Sequence, residues 1–304
     1  MLICRLDHIS KETDMDVYII VDMEGISGVT DGRMIRTGHQ QWVSRGRGLM
    51  TAEVNACIEG VLAAGAQRIW VKDGHDSGEN ILREQLQPAA ELISGSTASG
   101  MGGLIPGIES GFDVLILLGF HAKMGTLNAH FDHTISTATI SEIRFNETAV
   151  GEIGIYGAFA GHFGVPTVMV AGDVAATKEA IALFGENIQT VAVKQGLGRF
   201  STRTLSPEET HPLIREAAKA SLSTTVAPWR LDAPFNVEVD FLRSAEADMA
   251  ALVPGSQRVG ARTVAYTHDD PEMTFQAMQA MVNLGGIAAS RWARNLYTTG
   301  APVT

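Results

Sequence analysis

The sequence predicts an α/β fold, a largely parallel sheet flanked by helices, with a smaller α+β C-terminal domain. Three observations predict it. Short apolar runs alternate with stretches in which apolar residues recur at threes and fours. Four of those runs stop at polar residues, at Asp22 and Glu24, Asp73 and His75, His121, and Asp173. Near Ser206 and Pro207 the texture changes to alternating strand patterns set between helical stretches. The expected division is an N-terminal extension at 1–15, an α/β domain at 16–203 that holds the polar strand ends, and an α+β domain at 204–304.

Taken in order, "MLICRLDHISKETDMD" carries Arg5, Asp7, Lys11, Glu12 and Asp14 with no long apolar core, so it reads as an extension rather than a signal peptide. No apolar run reaches the ~18 residues of a membrane span. A cytoplasmic protein without membrane contact is expected. "VYIIVDMEG" opens the first strand, Val17 to Val21 being apolar without a break. A helix follows on Leu49, Val54, Cys57, Ile58, Val61 and Leu62, with Gly65 as its stop signal. "RIWVKDGH" and "AELISG" read as strands, and "SGSTASGMGG" (94–103) as a flexible loop without the Lys-Ser/Thr ending of a phosphate loop. "DVLILLGFH" is a buried strand, and "HTISTATISEI" reads as another. "RFNETAVGEIGIYGAF" predicts a hairpin turning near Asn146 and Glu147, then a helix starting around Gly151. "PTVMVAGD", "AATKEAIALFG" and "TVAVKQ" continue as strand, helix and strand. Beyond the texture change, "SPEETHPLIREAAKASLS" is a helix, "FNVEVDF" and "TVAYTHDD" are strands, and "PEMTFQAMQAMVNLGGIAA" is a final helix.

A formal net charge of -11 over 304 residues argues against nucleic-acid and anionic-membrane partners, which would be approached against repulsion. The only cysteines, Cys4 and Cys57, exclude a disulfide framework and a cysteine-based zinc cluster, and both read as buried or incidental thiols. No G-x-S-x-G elbow and no H-E-x-x-H helix is present, and "GISG" is too short for a dinucleotide fingerprint.

What remains is a set of carboxylates and imidazoles at strand ends. A strand has a side-chain period of two, so Asp22 and Glu24 are expected on one face with Met23 pointing away. Close together they repel unless a cation sits between them, although an exposed pair at a strand end needs none. In an open parallel sheet the carboxyl ends of the strands lie along one edge, so His75 and His121 can meet these acids there. Two imidazoles and two carboxylates form an N and O ligand set suited to zinc, manganese or another divalent ion. "NAHFDHTIS" adds His130, expected as an exposed loop residue, Asp132, and His133, for which structural and functional roles are both open. Glu152 falls on the first turn of its helix, where the dipole alone accounts for a carboxylate. His162 reads as a charge complement at that helix's end, and Asp173, His211 and His268 as caps or surface residues.

Taken together, "VDMEGISG", "KDGHDS", "LGFHAK", "DHTIS", "VGEIGI", "VMVAGD" and "AVKQG…SP" give the chain a resemblance, over roughly residues 16 to 300, to the D-aminopeptidase family of metallopeptidases. The resemblance implies two zinc ions per chain, or another divalent metal. Asp22 would match the bridging carboxylate, Glu24, His75, His121 and Glu152 the remaining ligands, and His133 the catalytic histidine. It further implies hydrolysis of the N-terminal residue of short peptides, with D-amino-acid peptides favoured, through a metal-activated water. A ring-shaped homo-oligomer, a decamer by the same resemblance, would enclose the sites. The alternatives are a metal-dependent amidohydrolase or phosphoesterase with the same ligands, and a peptide-binding protein, against which the clustering of His with Asp and Glu argues.

Overall fold

A computed structural model describes residues 15–96 and 104–297. The leading extension, Cys4 and most of the Gly/Ser-rich stretch lie outside the described residues. The elements run β1 (Met15–Val21), α1 (Arg47–Ala63), β2 (Ala66–Asp73), β3 (Ala90–Ile93), β4 (Val114–Phe120), β5 (Ile140–Phe145), β6 (Thr148–Val150), α2 (Glu152–His162), β7 (Thr167–Asp173), α3 (Val174–Phe184), β8 (Gln189–Gly198), β9 (Ser201–Thr204), α4 (Pro207–Ser221), β10 (Phe235–Phe241), α5 (Ser244–Ala250), β11 (Gln257–Arg258), β12 (Thr263–His268) and α6 (Pro271–Tyr297).

Seven strands form the main sheet in the order β3-β2-β1-β4-β7-β8-β9, parallel except for the antiparallel β8–β9 pair. Val17–Val21 and all of β4 and β7 are buried, as strands covered on both faces must be. Helices α1 and α4 pack together on this sheet, and α2 and α3 beside β4 and β7. A Cβ on Gly60 of α1 would come within 2.3 Å of the Arg215 carbonyl of α4, so the glycine sets how closely these helices cross. Cys57 is buried in the same layer. The strand order reverses at β1, which has β2 on one side and β4 on the other. Such a switch point opens a crevice at the carboxyl ends of the strands, and Asp22, His75 and His121 follow β1, β2 and β4.

A second, antiparallel sheet has the order β11-β12-β10-β5-β6. It corrects the boundary expected at 203/204. The β5–β6 hairpin comes from upstream of that boundary yet pairs with β10, and α4 comes from downstream yet packs on α1, β7 and β8, with Ile214 and Ala218 buried. Period-two alternation shows that a strand has a buried face, not which sheet it joins. A smaller correction concerns "HTISTATISEI", whose strand begins only at Ile140; the chain before it is turned, with Ile135 at φ +59°. The hairpin does turn at Asn146 and Glu147, both at positive φ.

Candidate active site

Asp22 is the first residue past β1, and its amide still donates to the Leu118 carbonyl of β4. There the chain leaves the sheet. Gly25 donates to the Gly119 carbonyl, and a Cβ at Gly25 would lie 2.1 Å from the Phe120 carbonyl oxygen, so only glycine allows this close turn. The turn, rather than strand alternation, brings Glu24 back beside Asp22. A clamp holds it: buried Lys194 of β8 donates from Nζ to the Glu24 carbonyl (2.6 Å) and the Val29 carbonyl (2.7 Å).

His75 sits in the loop after β2. Its Nε2 lies 2.8 Å from the Ile35 carbonyl, which can only accept, so Nε2 carries the hydrogen. Nδ1 then faces Asp22 Oδ1 at 3.1 Å and Glu24 Oε2 at 3.0 Å. Asn80 fixes the loop by donating to the His75 carbonyl and to Asp73. Asp73 also accepts from the Asn80 and Ile81 amides, and is thereby occupied in shaping the loop.

The same construction recurs on the other side of Asp22. His121 donates from Nδ1 to the Ala122 carbonyl (3.0 Å), leaving Nε2 at 3.3 Å from Asp22 Oδ2 and 3.4 Å from Glu152 Oε1. His133 donates from Nδ1 to the Phe131 carbonyl (2.8 Å) and sets Nε2 at 3.7 Å from Glu152 Oε1. Glu152 opens α2, one residue past the Gly151 cap, and also accepts from the Ile135 amide. Two triads result, Asp22 with Glu24 and His75, and His121 with His133 and Glu152. Asp22 turns one oxygen to each.

Each of these imidazoles is anchored by one nitrogen on a backbone carbonyl, so its other nitrogen meets carboxylates with a lone pair unless a cation intervenes. Asp22 Oδ2, Glu24 Oε2 and His121 Nε2 are buried without a hydrogen-bond partner. Such groups are costly to bury unless charge compensates them. Burial works against charge at Asp22, but the His121 and His75 imidazoles outweigh it and hold the carboxyl well below the usual carboxylate range. Burial opposes charge at His75 and His121 too, and Glu24, Glu152 and Asp22 overcome it, raising both well above ordinary histidines. This donor set of hard carboxylates and oriented imidazoles fits divalent zinc.

A cavity of about 510 Å³ opens onto the cluster, lined by Asp22, Glu24, His75, His133 and Glu152 and closed from the second sheet by Met278 and Val282 of α6. Sequence reasoning missed two residues around it. Lys72 of β2 and Tyr156 of α2 both line this cavity, and the Lys72 Nζ lies 5.6 Å from the centre of the Tyr156 ring. Lys72 and Lys194 each interrupt an apolar strand, in "IWVKD" and "VAVKQ", which was the signal available.

The other candidates stay outside the cluster. Asp173 caps α3, accepting from Ala176, but it is buried rather than on the surface and also accepts from the His130 amide. His130 reverses the expectation of an exposed loop residue: it is 1% exposed, and burial, joined by the Lys194 charge, pushes its pKa down to about 4. Its loop is drawn inward by the Phe131 amide, which donates to the Arg199 carbonyl, and by Asp132, which pairs with Arg199. His162 ends α2 near Glu272, His211 lies on α4, and His268 is exposed at the end of β12.

Comparison with known proteins gives a consistent result. The family model described as D-aminopeptidase matches residues 15–280. A D-aminopeptidase of Bacillus subtilis (strain 168) is 33% identical over 273 residues, covering 89% of this chain and 97% of that protein. A solved structure described as the zinc-dependent D-aminopeptidase DppA from Bacillus subtilis, a self-compartmentalizing protease, superposes with a TM-score of 0.83 at 33% identity, covering 90% of this chain and 98% of that one.

Proposed function

Because the chain belongs to the D-aminopeptidase family, we propose that it is a zinc-dependent aminopeptidase that releases the N-terminal residue of short peptides, D-configured at that residue. The observation that carries the site assignment is Asp22, whose two carboxylate oxygens face separate clusters of ligand-type side chains. We assign one zinc to Asp22, Glu24 and His75, and a second to Asp22, His121 and Glu152. When bound, the two ions supply Lewis acidity and a water that deprotonates near neutral pH. The carboxylates along the cavity wall suit a substrate that enters with a free, cationic α-amine. His133 faces the cavity, where its Nε2 is placed to pass a proton to the leaving amine. The chain acts as a homo-oligomer, a decameric ring, in the cytoplasm. No helix among the described residues is long and apolar enough to cross a membrane.

Metal analysis combined with hydrolysis of D-Ala-D-Ala and L-Ala-L-Ala tests this reading. Two zinc ions per chain and preferential release of D-alanine are expected, with turnover lost in strong chelator and restored by zinc. Full activity in chelator, or cleavage of neither peptide, would overturn it.

A further inference from the structure

Two lysines are buried near the site, and they are provisioned differently. Lys194, 3% exposed, spends its ammonium on two backbone carbonyls. Lys72, 4% exposed, makes no side-chain hydrogen bond or ion pair among the described residues; its Nζ lies near the Tyr156 ring, and the residue lines the cavity. The carboxylates of Asp73, Asp22 and Glu152 offset the cost of burying its charge, but none of them accepts a hydrogen bond from it, so its N–H donors are open to something entering the cavity. Its location selects what that is. Glu152 and Tyr156 are four residues apart on α2 and so share a face of the helix. The Lys72 ammonium lies by that face and within electrostatic reach of Glu152, which in turn approaches the imidazoles of His121 and His133. This is where the peptide bond must break under the aminopeptidase reading, on which the inference rests.

We infer that Lys72 is a catalytic residue whose Nζ–H donates to the oxygen of the carbonyl under attack. Water supplies the oxygen that bonds to the carbonyl carbon, and the carbonyl π pair moves onto its own oxygen, which becomes anionic. Lys72 keeps its proton and shortens its hydrogen bond to that oxyanion. As the pair returns, the C–N bond breaks and the leaving amine takes the proton that water gave up. Stabilisation of this kind is strongest in a site that excludes water, with the donor already in place.

The test compares wild type, Lys72→Met and Lys72→Arg, all saturated with zinc, on D-Ala-D-Ala and on its phosphinic analogue, which mimics the tetrahedral intermediate. Lys72→Met is expected to keep its zinc and melting temperature and to lose ~10²–10³-fold in kcat. Its KM should move less than ~threefold, with affinity for the phosphinate falling by a factor similar to the loss in kcat. Lys72→Arg should recover part of both losses. An unchanged kcat overturns the inference. So does a loss confined to KM, which would make Lys72 a hook for the substrate's carboxylate, and so does loss of zinc, which would make it structural. A wild-type protein that cleaves no peptide overturns the aminopeptidase reading itself, and this inference with it.

Discussion

His133 and His121 lie face to face, ring centroids 3.9 Å apart and 12° from parallel, yet they meet different surroundings. The His121 side chain is 1% exposed and approaches both Asp22 and Glu152, whereas that of His133 is 13% exposed, approaches Glu152 alone and borders the cavity. His75 and His121 each meet two carboxylates of the cluster where His133 meets one, which suits His133 to carrying a proton rather than to holding a metal. His133→Ala is therefore expected to retain the wild-type zinc content and the fold while kcat falls ~10²–10⁴-fold. Elemental analysis beside steady-state kinetics checks it, with exposed His268→Ala as the neutral control; zinc lost from His133→Ala would make this residue a ligand. At this scale the sequence was readable where a polar residue ends an apolar run, because a buried strand has few reasons to finish on Asp or His. It was unreadable at His130, where turns without periodicity give no sign of burial, and at Lys72, where one cation in an apolar strand does not disclose what it faces.

The turn at 22–29 draws on four separate elements. Lys194 of β8 holds two of its carbonyls, Thr204 of β9 accepts from the Gly28 amide, and Glu53 of α1 accepts from the Ser27 amide and hydroxyl, with Thr210 of α4 bonded to the same hydroxyl. Glu53 is fully buried, and that burial, against the Ser27 hydrogen bonds and the Lys194 charge, pushes its pKa from 4.5 up to about 6. The folded value lies above the unfolded one, so the neutral acid contributes stability that is complete below pH 4.5 and is lost as pH rises through about 6. The interval corresponds to roughly 2 kcal/mol. Glu53→Gln keeps the shape and removes the ionisation. Denaturant unfolding at constant zinc from pH 4.5 to 6 is expected to show wild type losing about that much relative to Glu53→Gln. Parallel profiles would mean that Glu53 does not ionise in this window. None of these tertiary ties was visible in "EGISG", although the strands and helices themselves were, since periodicity reports which face is buried and stays silent on the partner. For the same reason the hairpin over 140–150 is legible as a hairpin, while its pairing with β10 of the second sheet is not.

At the scale of the whole chain, a net charge of -11 makes copies of this protein repel one another, so association needs an apolar surface strong enough to overcome it. One end of the molecule offers such a surface. Leu127 is 85% exposed, Phe200 77% and Leu197 59%. The first lies on the loop that follows β4, Leu197 near the end of β8 and Phe200 in the β8–β9 turn. These segments are fastened together by the Phe131 amide on the Arg199 carbonyl at 2.8 Å, by the Arg199–Asp132 pair at 3.2 Å, and by the Phe131 and Phe200 rings, 6.2 Å apart. A patch already held in place loses little freedom on docking, which favours its use as a contact. A homo-oligomer of the kind proposed above is accordingly expected to bury it, and to form more readily as salt screens the like charges. The double variant Leu127→Asp, Phe200→Asp adds charge at the centre of the patch and touches no candidate zinc ligand. Sedimentation of this variant should shift from the assembly toward the 32.4 kDa chain while zinc content stays at the wild-type level. An assembly of unchanged mass would place the contacts elsewhere on the surface. A loss of zinc on dissociation would show instead that the loop leading to His133 depends on the neighbouring subunit to hold the second triad together.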